Sequence, residues 1–275
     1  MIRFARLAIP VLSLSLLLSA PAPASTRVAN PFIGAQGYID PDYVRNVEAS
    51  MAKTDPATRE KMQVATTIPT AVWLDSIAAI EGSNGRRSTL EQHLLYAVSQ
   101  AKENTPVVLP VVVYNLPDRD CSAKASNGTL NGLAGLKTYR EDFIDRIATL
   151  FADKRFSDLR IVTILEPDSL PNLVTNKSVA DCQSAFENGI YTKGIAYALK
   201  RFNEVANVYS YLDIGHSGWL GWDDNRNGAV KLYVDVIKSS GSLLNVHGVA
   251  TNTSGYTPVE AVSYTHLTLP TTPYV

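Results

Sequence analysis

Two stretches of this chain are apolar without the polar alternation of a half-exposed strand: residues 107–114, almost wholly Val, Leu and Pro, and residues 161–165 within LRIVTILEPDSL (159–170). Continuous β-branched runs of this length read as strands covered on both faces, the pattern of a parallel sheet. The second run stops at Glu166-Pro167-Asp168. Pro167 has no N–H and biases Glu166 away from helical backbone angles. The strand thus delivers two carboxylates at its C-terminal tip, where parallel α/β sheets place ligands and catalytic groups. Taken alone, the stretch also allows a structural reading, with Asp168 capping the next helix and Glu166 in a salt bridge.

The rest of the chain repeats the pattern. Asp40 as N-cap and Pro41 in the first turn start a helix that runs to about residue 53. Periodic helices are predicted over 89–103, 135–152, 184–202 and 227–239. Strands are predicted over 70–74, 107–114, 159–165, 208–212 and 246–251. Alternation of this kind gives right-handed βαβ units and one parallel sheet, open or closed into a barrel. The ordered part is expected to begin at Asn30-Pro31-Phe32, and no second domain or repeat is visible.

The ends read differently. Residues 1–24 have the form of a secretory signal: Arg3 and Arg6, an apolar core, then Ala22-Pro23-Ala24. Removing them takes the net charge from −1 to −3, which gives no reason to expect nucleic acid or an anionic membrane as partner. No later stretch is long and apolar enough to span a bilayer. Export makes a disulfide plausible for the two cysteines, Cys121 and Cys182, which would close a loop of about 60 residues. Sequons stand at Asn127, Asn176 and Asn252. Residues 263–275, SYTHLTLPTTPYV, have no helical period and too many prolines for a strand; they read as a non-native tail, and 25–262 as part of one catalytic domain.

Polar and aromatic groups gather at the predicted strand tips: Trp73 and Asp75; Tyr114, Asp118, Arg119 and Asp120; Glu166 and Asp168; Asp213 and His216, followed by Trp219 and Trp222; and Asn252. All three tryptophans fall on this one face. Sugar rings stack their C–H faces on flat aromatics and are held by carboxylates and amides. Glycosidic cleavage needs a carboxyl group kept protonated, which crowded carboxylates provide. Arg119 should act oppositely on whichever neighbour it touches. Metal chemistry is disfavoured with one histidine at the face, and neither a Gly-x-Ser-x-Gly elbow nor a Gly-rich phosphate loop is found.

YNLPDRDCSAKASNG (114–128), ILEPDSLPNLVTN (164–176), YLDIGHSGWLGW (211–222) and VATNTSGY (249–256), with NPFIG at 30 and AVWLD at 71, resemble glycoside hydrolase family 6, most closely its cellobiohydrolases. The resemblance implies a distorted seven-stranded β/α barrel, here incomplete with about five strands, and inverting hydrolysis of β-1,4-glucosidic bonds in cellulose. It implies that Asp168 is the general acid and that Asp120 is the carboxylate that raises its pKa and helps position water. Tyr114 would assist at the distorted sugar ring, and Asp213 would be a further active-site carboxylate. Trp73, Asp75, Arg119, His216, Trp219, Trp222 and Asn252 would face the substrate, and Ser126 would ride on a loop over the site. Cys121 and Cys182 would match a family disulfide. The family's distal aspartate, proposed as base, has no counterpart in this chain.

These readings give a secreted, monomeric hydrolase without metal or cofactor, acting on cellulose and cello-oligosaccharides. The DRDCSAKASNG loop favours exo action with release of cellobiose. The alternatives are an endo-acting glucanase of the same family and, for this chain, glucan binding without cleavage.

Overall fold

The computed structural model describes residues 27–82, 87–255 and 257–258. The leader at 1–24 and the tail at 263–275 lie outside the described residues. In chain order the elements are β1 (Gln36–Gly37), α1 (Pro41–Met51), α2 (Pro56–Met62), β2 (Val72–Leu74), α3 (Ile77–Glu81), α4 (Leu90–Gln100) and β3 (Val107–Val113). Next come α5 (Gly132–Thr138), a π-wound turn (Tyr139–Ile144) and α6 (Asp145–Phe151), then β4 (Arg160–Leu165), α7 (Ser169–Thr175), α8 (Ala180–Glu187) and α9 (Ile190–Asn203). The last are β5 (Val208–Asp213), α10 (Ser217–Leu220), α11 (Asp223–Ser239) and β6 (Gly248–Ala250).

Every strand pair is parallel, and the sheet forms an incomplete half-barrel. β3 is central: β4 runs along one side from Val108↔Arg160 to Val113↔Leu165, while β1 and β2 share the other side, β1 low and β2 high. β5 and β6 follow β4 in order. The two apolar runs are covered on both faces, as their composition requires. Leu109, Val111, Val113, Ile161 and Leu165 join the main core with Leu94, Phe143, Ile147 and Leu199 from the helices. Val108 and Val162 turn the other way into a smaller cluster with Tyr209. Each such side chain contributes roughly 1.5–3 kcal/mol on burial.

Helix starts follow local chemistry. Asp40 accepts from the Asp42 N–H ahead of Pro41, and Thr89 forms a reciprocal capping box with Gln92. Three expectations need correction. The helix expected over 184–202 is two helices, because Gly189 takes a left-handed φ of 63° that an L side chain resists. The sheet has an extra strand, β1, whose two residues are too few to show a pattern. The ordered part also starts before Asn30: Arg27 donates to the carbonyls of Asn203, Val205 and Val208 at 2.8–3.0 Å, fastening its segment to the turn between α9 and β5.

Cys121 and Cys182 are bonded, joining the loop after β3 to α8 across 61 residues. In the chain-entropy model that closure contributes roughly 4 kcal/mol. Cys182→Ser should therefore lower the unfolding free energy by about that amount in urea titrations. Reductant should bring wild type to the variant's midpoint; equal midpoints without reductant would remove the disulfide from the stability account.

Candidate active site

The strand tips meet through backbone that leaves ordinary geometry. Among the described residues six non-glycines have φ above zero, and five stand at this end: Asp118 (55°), Asp120 (51°), Glu166 (50°), Asp168 (63°) and Asn252 (58°). Such conformations cost on the order of 1–3 kcal/mol each and persist where their surroundings over-determine them. The Glu166 N–H makes the last bond to β3, to the Val113 carbonyl at 2.8 Å, before the chain turns.

Neither structural reading of Glu-Pro-Asp describes the side chains. Asp168 occupies the N-cap position of α7, yet its carboxylate bonds none of that helix's N–H groups. It accepts from the Ser254 hydroxyl at 2.7 Å, while its backbone N–H donates to Asp213 Oδ2 at 3.0 Å. Glu166 makes no salt bridge among the described residues. Buried, it accepts from the N–H groups of Asn115 (3.0 Å) and Leu116 (3.1 Å) and from the Tyr139 hydroxyl (2.8 Å).

The loop after β3 brings up Tyr114, Arg119 and Asp120. The Tyr114 hydroxyl donates to Asp120 Oδ2, and its ring meets Trp73 edge-on at 5.7 Å. Arg119 makes no salt bridge with Asp118 or Asp120, but its charge pulls the Asp120 carboxyl down, the direction expected of it. Its guanidinium lies 4.1 Å over the Tyr114 ring and donates to the carbonyls of Asp75, Tyr114 and Ser126. Arg119 thus braces the loop after β3 at two points and ties it to the end of β2. Asp75 pairs with Arg87 at 3.1 Å, and Arg87 also holds the Trp73 carbonyl. Ser126 is exposed at the rim, its hydroxyl bonded back to the Ala123 carbonyl.

On the other side, Asp213 is 2% exposed. Its Oδ2 accepts from the N–H groups of Asp168 and Gly215, each at 3.0 Å, and its Oδ1 has no partner among the described residues. His216 and Trp219 lie together with ring centres 5.8 Å apart, and the Trp219 indole N–H donates to Thr175. Trp222 is exposed, its N–H bonded to the Gly218 carbonyl. The Asn252 amide is engaged with Thr257, so this side chain shapes its own turn rather than offering both groups to a ligand. An apolar cavity of about 720 Å³ lies between α10, α11 and β6, bordered by His216, Val230, Val249 and Thr251, to one side of the carboxylates.

The electrostatics are those of crowded, buried acids. Burial pushes the Asp120 carboxyl up; the Tyr114 hydroxyl opposes this and the charge of Asp168 adds to it. Burial pushes Asp213 up to about 6, against the two N–H groups that hold its carboxylate, with the Asp168 charge again raising it. Asp120 and Asp213 therefore both feel the charge of Asp168, which stands between them at the end of the neighbouring strand β4. A separate Asp40–Asp42–His93 grouping sits on α1 and α4. Within it, Asp42 accepts from Arg45 and from the Ser88 N–H and hydroxyl, and His93 Nδ1 shares a bond with Tyr38.

Sequence reasoning missed Arg87, Ser254, Tyr139 and Thr175. Ser254 lay inside a quoted motif without a role. So did Thr175, while Arg87 and Tyr139 come from segments outside the quoted motifs and carry no local signal.

The family model for glycosyl hydrolases family 6 matches residues 32–274. The chain is 41% identical to Exoglucanase A of Cellulomonas fimi, over 94% of this chain and 30% of that protein. It is 37% identical to 1,4-beta-D-glucan cellobiohydrolase C of Emericella nidulans, over 84% and 50%. Among solved structures, the catalytic domain of Cellulomonas fimi Cel6B superposes with a TM-score of 0.82 at 42% identity, covering 86% of this chain and 54% of that one. Cel6A of Humicola insolens in complex with glucose and cellotetraose superposes with a TM-score of 0.74 at 35% identity, covering 85% and 63%. The chain thus spans about half the length, or less, of the curated relatives it matches.

The buried carboxyl at Asp213 has a thermodynamic consequence. Its folded pKa of about 6 stands above the unfolded value of 3.8, so the folded state binds the proton more tightly. The stability it contributes is present below the unfolded value and is lost as pH rises through the folded one. Relative to Asp213→Asn, wild type should lose on the order of 3 kcal/mol between pH 4 and pH 7, read from urea unfolding across that range. A difference that stays flat with pH would place the ionised carboxylate in a solvated setting.

Proposed function

The chain belongs to glycosyl hydrolases family 6, and from that premise we propose that it cleaves β-1,4-glucosidic bonds of cellulose and cello-oligosaccharides with inversion, from chain ends, releasing cellobiose. The observation that carries this reading is the gathering of Asp120, Asp168 and Asp213 at the C-terminal ends of adjacent strands, with Trp73 and Tyr114 beside them.

In this reading Asp168 delivers the proton to the leaving oxygen. Its carboxylate is half-exposed, beyond the last turn of backbone, and Ser254 orients one oxygen. Asp120 shares charge with it and, held by the Tyr114 hydroxyl, sits where it can order a water. Asp213 faces the backbone of Asp168 and fixes where the acid stands. Trp73 and Trp219 offer ring faces for sugar stacking. The reading assigns no metal or cofactor, and export to the cell exterior fits a polymeric substrate that cannot enter a cell.

Asp168→Ala should remove nearly all hydrolysis of cellohexaose, a loss of about 10³-fold or more, since its leaving group cannot depart without a proton. NMR of the first products should show the α-anomer, and early products should be mainly cellobiose. Retention of configuration would overturn the mechanism, and random scission would favour the endo-acting alternative. Oligosaccharide binding by wild type with no sugar released would favour a glucan-binding role for this chain.

A further inference from the structure

Glu166 differs from every other left-handed non-glycine among the described residues, all of which are Asp or Asn. Those two tolerate the conformation through short polar side chains, and Glu has no such ease. Glu166 is also 1% exposed, and its carboxylate has no ion pair among the described residues. A strained backbone and a buried carboxylate at one position need a compensating role.

We propose that Glu166 is the positioning residue of the site, clamping the root of the β3 exit loop to the tip of β4 so that Tyr114 and Asp120 stand in fixed relation to Asp168. The proposal rests on the hydrolase reading only for the identity of the groups it positions. The clamp has two halves. The side chain takes the N–H groups of Asn115 and Leu116, the residues that come after Tyr114 and lead to Asp120. The main chain carbonyl takes the Ser169 N–H at 3.2 Å and the Ser169 hydroxyl at 2.6 Å, which closes the turn bearing Asp168.

Both sides of the clamp are supported. The Tyr139 hydroxyl donates to Oε1 from the π-wound turn, fixing the carboxylate plane. Leu116 is held from behind by α9, which approaches so closely that a Cβ at Gly194 would lie 2.4 Å from Leu116 Cδ2. Three donors converge on two oxygens, and a carboxylate accepts at both. A glutamine of the same shape would aim its own N–H groups at one of those donors. Burial pushes the carboxyl up to about 7, with the bonds from Tyr139, Leu116 and Asn115 and the charge of Arg119 pulling the other way.

The test compares wild type, Glu166→Gln and Tyr139→Phe by amide hydrogen exchange and by steady-state hydrolysis of cellohexaose. Glu166→Gln should speed exchange over residues 114–123 by about 10-fold or more, with β4 and β5 unchanged. It should lower kcat by about 10²-fold with KM within about twofold, the signature of a misplaced catalytic group. Tyr139→Phe should do the same more weakly and decides the question if Glu166→Gln does not fold. Unchanged exchange at 114–123, or a uniform rise across the sheet, would overturn the clamp. If wild type shows no hydrolysis the functional reading fails, and the exchange comparison still decides the proposal.

Discussion

The six-residue parallel ladder between β3 and β4, buried on both faces, governs the architecture and the site together. Parallel strands cannot be joined by a tight turn, so each must be reached through a crossover, and the crossovers here are the helices that cover one face. The ladder also sets the height at which both strands end. Val113 and Leu165 are paired in register, so the loop carrying Tyr114 and Asp120 and the turn carrying Asp168 leave the sheet side by side. A slip of one residue would move the carboxylates to opposite faces.

The exits from the ladder are costly. Four left-handed residues, Asp118, Asp120, Glu166 and Asp168, stand in the two adjacent ones. Asp120, Glu166 and Asp213 are carboxyl groups largely removed from water. The molecule tolerates this because every strained segment is bonded from several directions. Arg119 braces the β3 exit loop and ties it to the β2 exit through three carbonyls, Asp213 holds the Asp168 N–H, and the Cys121–Cys182 bond ties the β3 exit loop to α8. N–H donors around Glu166 and Asp213 offset part of the rise that burial imposes, leaving them at about 7 and about 6.

Much of the fold was legible because its elements are strongly patterned. The apolar runs at 107–114 and 159–165 became strands, and Asp40 caps the helix expected after it. The misses have local causes. Gly189 breaks a periodic pattern through a single φ angle, and β1 is shorter than any period. Of the site, the motif residues of β3, β4 and β5 were legible as a group at one end. Their partners were not: Ser254 reaches Asp168 across 86 positions and Arg87 reaches Asp75 across 12, and neither contact has a sequence period. The lowering effect of Arg119 on a neighbouring acid was legible and falls on Asp120, whereas the carbonyls it bonds were not.

Hydrophobic period and residue type are local properties of the chain. They suffice for the α/β class, for the strand tips that carry polar groups, and for family membership through four motifs in order. The surroundings of Glu-Pro-Asp are a different matter, set by contacts that the folded chain alone creates. Asp168 belongs to Ser254 and Asp213 rather than to a helix cap, and Glu166 is a buried acceptor for the neighbouring loop rather than an ion-pair partner. A carboxylate's role is set by which donors converge on it and how much water remains, and both depend on segments that are far apart in sequence until the fold brings them together.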